Sequence, residues 1–153
     1  MITSILAFVI GAVGGLRSMT APAAVSWAAT LGWLDLDRTW LAFLGTGWTP
    51  SILTLLAVGE LIVDKLPGIP SRTVLVAFAV RIAVGFVCGA ALVAGAGPMW
   101  LGGVAGSAGA AVGTVGGAAF RAWLIDRLGR WPAALIEDAI ALTTAVAVVL
   151  TMR

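Results

Sequence analysis

The sequence predicts an all-α integral membrane protein that crosses the bilayer with about five helices. Of its 153 residues, 61% are hydrophobic and only 10% are charged, whereas soluble domains carry about 25% charged residues. The apolar stretches are continuous and lack the alternation of barrel strands, which favours helices. At about 20 residues per crossing, the chain has room for one transmembrane domain, residues 1–153, and for no soluble domain.

Composition also excludes several kinds of site. The chain has no His and a single Cys, Cys88, so an intrachain disulfide and a zinc site built on Cys or His are excluded. Cys88 lies in an apolar, glycine-rich run and is interpreted as a small buried side chain. The few basic residues lie in separate loops, so we expect no nucleic-acid partner. We also expect no cofactor.

The first apolar stretch, residues 2–30, is too long and too interrupted for one plain helix. It starts without a basic leader segment, so we interpret it as a first span rather than a signal peptide. Gly14 and Gly15 precede Arg17 and Ser18 near the middle of the stretch. Glycines and polar residues at this depth predict a helix that is broken near Gly14-Gly15.

Four further spans follow. They are predicted at residues 51–66, 73–95, 100–128 and 133–151, and a short apolar piece near residues 40–48 is expected to be re-entrant or interfacial. Proline opens the second and the fifth span, where the first helical turn tolerates it. The fourth span carries glycines at 102, 106, 109, 113 and 116. This heptad-like spacing predicts that another helix approaches it very closely.

The loops predict a cytoplasmic N-terminus and an external C-terminus. With five spans, the basic residues that fall on the inner side are Lys65, Arg72, Arg127 and Arg130. Tryptophans agree with this orientation: Trp27, Trp33, Trp40, Trp48 and Trp100 would form an outer belt, and Trp123 and Trp131 an inner one. The expected location is the inner membrane of a bacterium, with lipid as the surrounding partner.

Two similar segments predict an internal repeat. Gly11-Ala-Val-Gly-Gly-Leu-Arg17 resembles Gly113-Thr-Val-Gly-Gly-Ala-Ala-Phe-Arg121, and each precedes a proline-initiated span that carries carboxylates. One span lies between the copies, so they are expected to run in opposite directions. On this interpretation residues 1–72 form the first repeat, 73–97 a linking helix and 98–153 the second repeat. Such inverted repeats are typical of transporters with a site near the midplane.

Glu60 and Asp64 lie four residues apart in an otherwise apolar span, which places both carboxylates on one helix face. A charge within the bilayer costs roughly 2.5–3.5 kcal/mol, so these side chains are expected to face the protein interior or a water-filled cavity. Glu137 and Asp138 are their predicted counterparts in the second copy. The deeper Glu60 is the stronger candidate for an ion or proton site.

Cations and hydroxyls accompany these carboxylates. Arg17 is the deepest cation and is predicted to bind an anion together with Ser18 and Thr20, or to neutralise Glu60. The complete set of candidate binding residues is Arg17, Ser18, Thr20, Glu60, Asp64, Lys65, Ser71, Arg72, Arg81, Arg121, Glu137 and Asp138. Buried ion pairs that fix the helix register would use the same residues.

Three motifs resemble those of a known family. They are Gly14-Gly-Leu-Arg-Ser-Met-Thr20-Ala-Pro22, then Gly59-Glu-Leu-Ile-Val-Asp64-Lys-Leu-Pro67 with Pro70-Ser-Arg-Thr73, and then Ala134-Leu-Ile-Glu137-Asp138. The resemblance covers nearly the whole chain, which is similar to the bacterial integral-membrane family described as domain of unknown function 4126. It implies a small multi-pass inner-membrane protein, and it implies no substrate or reaction.

Three functions fit these observations. The favoured one is a small transporter or channel for an ion or a small anionic solute, expected to be a homodimer because five spans seldom enclose a pathway. The second is a membrane enzyme acting on a phosphorylated polyprenyl lipid, in which the carboxylates would bind Mg²⁺ and Lys65, Ser71 and Arg72 would hold phosphate. The third is a structural or assembly subunit of the membrane.

Overall fold

The computed structural model describes residues 2–65 and 74–153, and within these ranges every regular element is a helix. The helices are α1 (Ile2–Leu16), α2 (Thr20–Thr30), a short 3₁₀ helix (Ala42–Gly45), α3 (Thr49–Val63), α4 (Leu75–Val93), α5 (Met99–Leu128) and α6 (Arg130–Leu150). Of these, α4, α5 and α6 are long and apolar enough to cross a membrane, and α1 and α3 are shorter apolar helices. The all-α class with membrane-like helices agrees with the prediction.

Backbone contacts fix the direction of each helix. Helices α1 and α5 are parallel, because Phe8 packs at Gly109 and Gly15 packs at Thr114. Helix α4 runs opposite to both: its Ile82 carbonyl accepts a hydrogen bond from the Ser107 hydroxyl of α5 at 3.3 Å. The remaining contacts continue this alternation, so that each α-helix in the described ranges reverses the direction of the one before it.

Alternation gives the bundle two distinct ends. The ends of α1, α3 and α5 and the starts of α2, α4 and α6 meet at one end, which we call the charged end because it holds the cluster described below. The opposite end, the terminal end, holds residues 31–48, residues 94–98 and the first and last turns of the described chain. There the Arg153 guanidinium lies 6.0 Å from the centre of the Trp33 ring.

Two topological predictions need correction. The first apolar stretch is broken, as predicted, but at residues 17–19, and the chain turns back there instead of continuing across. The similar glycine motifs therefore lie on α1 and α5, which run in the same direction and pack against each other. An inverted relation between these two segments is not found, and the first and last described helices begin and end at the same end of the bundle.

The glycine pattern of α5 serves helix packing. Gly102 and Gly106 face α4, and Gly109 and Gly113 face α1; at each position an added Cβ atom would overlap the backbone of the neighbouring helix. Gly116 differs, because nothing lies within 4 Å of the place where its Cβ would be. Four of the five glycines thus let three helices approach backbone to backbone, as the spacing predicts.

Residues 31–48 cover the terminal end without forming a span. Leu34, Leu36, Leu41 and Leu44 are buried in the apolar core, and the 3₁₀ helix packs against α2 and α3. The five tryptophans of the predicted outer belt all lie toward this end, whereas Trp123 and Trp131 lie toward the charged end. Cys88 is fully buried, as predicted.

Candidate functional site

Eight charged side chains from four helices and from the turns beside them converge at the charged end. Four are cations and four are carboxylates, so the cluster sums to zero formal charge. Its members, called the charged cluster below, are Arg17, Glu60, Asp64, Lys65, Arg81, Arg121, Glu137 and Asp138. The cluster lies near the helix ends, and not at the middle of the bundle where an inverted repeat would place a site.

Arg17, the residue at which α1 turns into α2, forms the centre of the charged cluster. Its side chain is fully buried, and its Nη1 atom donates a hydrogen bond to Oδ2 of Asp64. Its Nη2 atom lies 2.5 Å from Oδ1 of Asp138 and 3.8 Å from Oε2 of Glu137. One guanidinium therefore ties the α1–α2 turn to the end of α3 and the start of α6. The expected pairing of Arg17 with Glu60 is not seen.

Glu60 instead binds the N-terminus of α2. Its Oε1 atom accepts hydrogen bonds from the backbone N–H of Ser18 at 2.8 Å and from the Ser18 hydroxyl at 2.7 Å. Its Oε2 atom accepts one from the backbone N–H of Met19 at 2.8 Å. A helix leaves its first N–H groups without intrahelical acceptors, and a carboxylate there also meets the positive end of the helix dipole.

Arg81 of α4 satisfies the other side of the same helix break. Its Nη1 atom donates to the carbonyl oxygen of Gly15 at 2.8 Å, and its Nη2 atom lies 3.6 Å from Oε1 of Glu60. The Thr114 hydroxyl lies 3.3 Å from the same Gly15 oxygen. A cation at the carbonyl end of α1 and an anion at the amide end of α2 stabilise two helix ends inside the bundle.

The remaining cations join α3 and α5 to α6. Lys65 Nζ donates to Asp138 Oδ2 at 2.7 Å and to a backbone carbonyl of its own helix. Arg121 Nη1 lies 3.2 Å from Glu137 Oε2 and 3.5 Å from Asp64 Oδ2, and its Nη2 donates to the Asp64 carbonyl at 3.2 Å. Asp64 and Asp138 are thus each shared between two cations, and Glu137 lies within reach of two.

A pocket of about 290 Å³ opens beside the charged cluster. It is lined by Asp64, Lys65, Arg121, Arg130, Trp131 and Ala134. Three of these side chains are cationic and one is anionic, so the lining favours a negatively charged ligand. Asp64 forms both part of the pocket wall and a direct partner of the buried Arg17. The pocket is therefore separated from the deepest cation by a single carboxylate.

The structure brings together most of the predicted binding residues. Ser18 joins the charged cluster through Glu60, and Thr20 is buried in the first turn of α2. Ser71 and Arg72 lie outside the described residues, so their predicted role in holding phosphate is not addressed. Sequence reasoning missed Arg130 and Trp131 as pocket residues. Their position immediately after the α5–α6 turn, beside the acids of α6, was the available signal.

No described residues form a group of three or more His, Cys, Asp or Glu side chains placed to share a metal ion. The carboxylates of Asp64, Glu137 and Asp138 instead face guanidinium and ammonium groups at the distances given above. This arrangement suits exchange among ion pairs, or binding of an anion that competes with a carboxylate for a cation.

Comparison with known proteins identifies a family and no closer relative. The family profile described as Domain of unknown function (DUF4126) matches residues 5–151 of the chain. No significant match to a curated protein or to a solved structure was found.

Proposed function

The chain belongs to this family of unknown function, and on the basis of its charged cluster we propose that it is a small transporter or channel for a small anionic solute. The observation that carries the proposal is the pocket at the charged end, in which Lys65, Arg121 and Arg130 outnumber Asp64. Charged groups within membrane proteins are costly and are rarely placed without a task.

The cations near the pocket differ in exposure: Arg130 is exposed, the Arg121 side chain is 19% exposed and Arg17 is fully buried. Arg121 and Arg17 both lie within ion-pair distance of Asp64 and of Glu137. An anion that enters the pocket can therefore pair with Arg121 while the two carboxylates stay with Arg17. This exchange avoids an uncompensated buried charge, which would be strongly unfavourable.

Flux through proteoliposomes tests the proposal. We expect Arg121→Gln to lower uptake of small anions at least about tenfold, because a desolvated charge-assisted contact contributes about 1.5–3 kcal/mol. Arg127→Gln is the matched control: Arg127 lies on the same helix but stacks on the Trp123 ring at 4.3 Å, outside the charged cluster.

Glu60→Gln should also change the flux, since it removes the charge that holds the start of α2. Equal flux for wild type, Arg121→Gln and Glu60→Gln would contradict the proposal. So would the absence of flux for every ion and small anion examined.

Orientation and location are part of the proposal. Lys65, Arg127 and Arg130 lie at the charged end, and basic residues favour the cytoplasmic side. We therefore place the charged end in the cytoplasm of a bacterium, with the first and last helices starting and finishing on the outer side of the inner membrane. This replaces the expected arrangement with the two ends on opposite sides.

We retain a homodimer in the proposal, formed through the outward face of α5. Val104, Ala108 and Val112 recur there every four residues, and all are exposed. The short side chain of Ala108 lets a second helix approach this face. Measurement of the mass of the detergent-solubilised protein, with its bound detergent subtracted, tests this; a monomer at every concentration would remove it.

A structural subunit is the second candidate, because the charged cluster is electrically balanced and ties helices together. The bond between Lys65 and Asp138 provides its test. If the protein is a structural subunit, wild type should show no flux, and Lys65→Asp combined with Asp138→Lys should restore the stability lost in either single variant. Flux through wild type that the combined variant does not regain, although its stability returns, would favour transport. The enzyme alternative receives less support, since the carboxylates it would use for Mg²⁺ are engaged by Arg and Lys.

A further inference from the structure

The start of α2 has the geometry of a binding site for a carboxylate. Two adjacent backbone N–H groups, of Ser18 and Met19, each donate to a different oxygen of Glu60, and the Ser18 hydroxyl adds a third hydrogen bond. The donor distances of 2.7–2.8 Å are those of charge-assisted hydrogen bonds. A carboxylate is planar and has two oxygens, so it can accept one hydrogen bond from each of two adjacent backbone N–H groups.

Electrostatics at this position also favour an anion. The amide end of α2 carries a partial positive charge, and Arg81 approaches from α4 with its Nη2 atom 3.6 Å from Glu60. Within the charged cluster, the removal of Glu60 alone would leave four cations against three carboxylates. A mobile anion at the same place would restore the balance.

The turn between α1 and α2 carries buried polar groups that Glu60 does not bind. Thr20 is 3% exposed and its hydroxyl oxygen has no hydrogen-bond partner among the described residues; the same is true of the Nε atom of the fully buried Arg17. Both groups belong to the turn that carries the Ser18 and Met19 amides. Buried polar groups without partners are rare and usually indicate a missing water, ion or ligand.

We propose that the α2 N-terminus is a binding site for a small monocarboxylate, in which Glu60 is a covalently attached stand-in. When the side chain of Glu60 withdraws, a free carboxylate takes the two amides and the Ser18 hydroxyl, in the turn that also carries the unpartnered polar atoms of Arg17 and Thr20. This names the class of solute for the transporter and rests on the proposed function for its transport role, although binding itself does not depend on transport.

Removal of the stand-in should expose the site. We expect purified Glu60→Ala in detergent to be stabilised by sodium formate, with a melting temperature raised by about 3 °C at a formate concentration about ten times its Kd. Sodium chloride at equal concentration should give a clearly smaller rise in melting temperature. A spherical chloride ion lacks the two oxygens with which a carboxylate accepts one hydrogen bond from each amide. Wild type should not respond, since Glu60 occupies the site.

Asp126→Ala is the control, because it removes an exposed carboxylate that is not part of the charged cluster and leaves the α2 amides occupied. Formate should not stabilise it beyond chloride. If Glu60→Ala does not fold, Glu60→Gln provides the second variant: its neutral amide is a weaker occupant that formate should displace. Equal effects of formate and chloride, an equal response of Asp126→Ala, or no response of either Glu60 variant would overturn the inference.

A flux measurement separates this inference from the proposed function. Formate binding by the Glu60 variants, without flux of formate or of any other small anion through wild-type proteoliposomes, would support the binding site and contradict the transporter. Anion flux through wild type without formate binding by either variant would support the transporter and contradict the carboxylate site.

Discussion

Arg17 shows how much one residue can hold together in a small membrane protein. It lies where α1 reverses into α2, it is fully buried, and its guanidinium reaches carboxylates from α3 and α6. A lysine could not do the same, because a single ammonium group lacks the planar fork that lets arginine face two acids at once.

Loss of this residue should be severe. We expect Arg17→Ala to lower the free energy of unfolding by about 3–5 kcal/mol, because it leaves Asp64 and Asp138 without their central cation in a desolvated place. Thermal unfolding in detergent measures this. The control is Arg38→Ala, at an exposed site of the loop, which should change stability by less than about 0.5 kcal/mol. Similar losses for both variants would contradict the assignment.

For single residues, the sequence predicted which side chains join the charged cluster better than it predicted which of them pair with each other. The four-residue spacing of Glu60 and Asp64 correctly indicated one helix face toward the protein interior. It could not indicate that the two acids have different partners: Glu60 binds the amide end of α2, whereas Asp64 binds Arg17. Those contacts join residues 42 and 47 positions apart, and their choice depends on how the helices stack.

Among the helices, α1, α4 and α5 form the best-packed unit. Glycines on all three remove the side chains between them, so that carbonyl oxygens of one helix meet the Cα atoms of the next. Contacts of this kind add weak Cα–H···O hydrogen bonds to van der Waals packing. In a bilayer, where burial from water does not drive helix association, such packing is a main source of stability.

Substitutions of the α5 glycines should have effects on stability that depend sharply on position. An added methyl group at Gly106 would overlap the Gly85 backbone, so Gly106→Ala should separate α4 from α5 and destabilise the protein by about 1–3 kcal/mol. Gly116→Ala meets open space and should be neutral or stabilising by up to about 1 kcal/mol, since alanine is the better helix former. Melting temperatures that fall equally would refute the packing described.

The glycine spacing predicted close approach but not its division between two neighbours. Gly102 and Gly106 serve α4, whereas Gly109 and Gly113 serve α1. An α-helix has 3.6 residues per turn, so a repeat of 3.5 drifts slowly around the helix axis. Over four turns the drift carries Gly116 out of the contact altogether, and Gly117 meets Leu16 in its place.

For the whole molecule, the reversal at residues 17–19 decides the topology. Hydropathy marks the point where an apolar stretch is interrupted, but a three-residue interruption looks the same whether the chain continues or turns back. The sequence therefore predicted five crossings, a continuing first span and an inverted repeat. Only the contacts of α1 with α5, which link residues 99 positions apart, distinguish the two paths.

Labelling with a membrane-impermeant maleimide tests the topology. Ser4→Cys and Arg153→Cys should react from the same side of the membrane, and Arg130→Cys from the opposite side, because the chain passes along six helices of alternating direction between the first two. Native Cys88 is fully buried, so unmodified protein should remain unlabelled and serves as the background. Reaction of Ser4→Cys and Arg153→Cys from opposite sides would contradict the alternating bundle.

Helix α3 is attached in a different way from the glycine-packed helices. Along its length it packs chiefly on α2 and the 3₁₀ helix, and its last turn is fastened by the side chains of Glu60, Asp64 and Lys65. Helices α1, α4 and α5 form a tightly packed unit, whereas α3 is held at its last turn by charged contacts. A solute that competes for those charges would weaken the contacts that hold α3. Binding of the solute and the position of α3 would then be coupled.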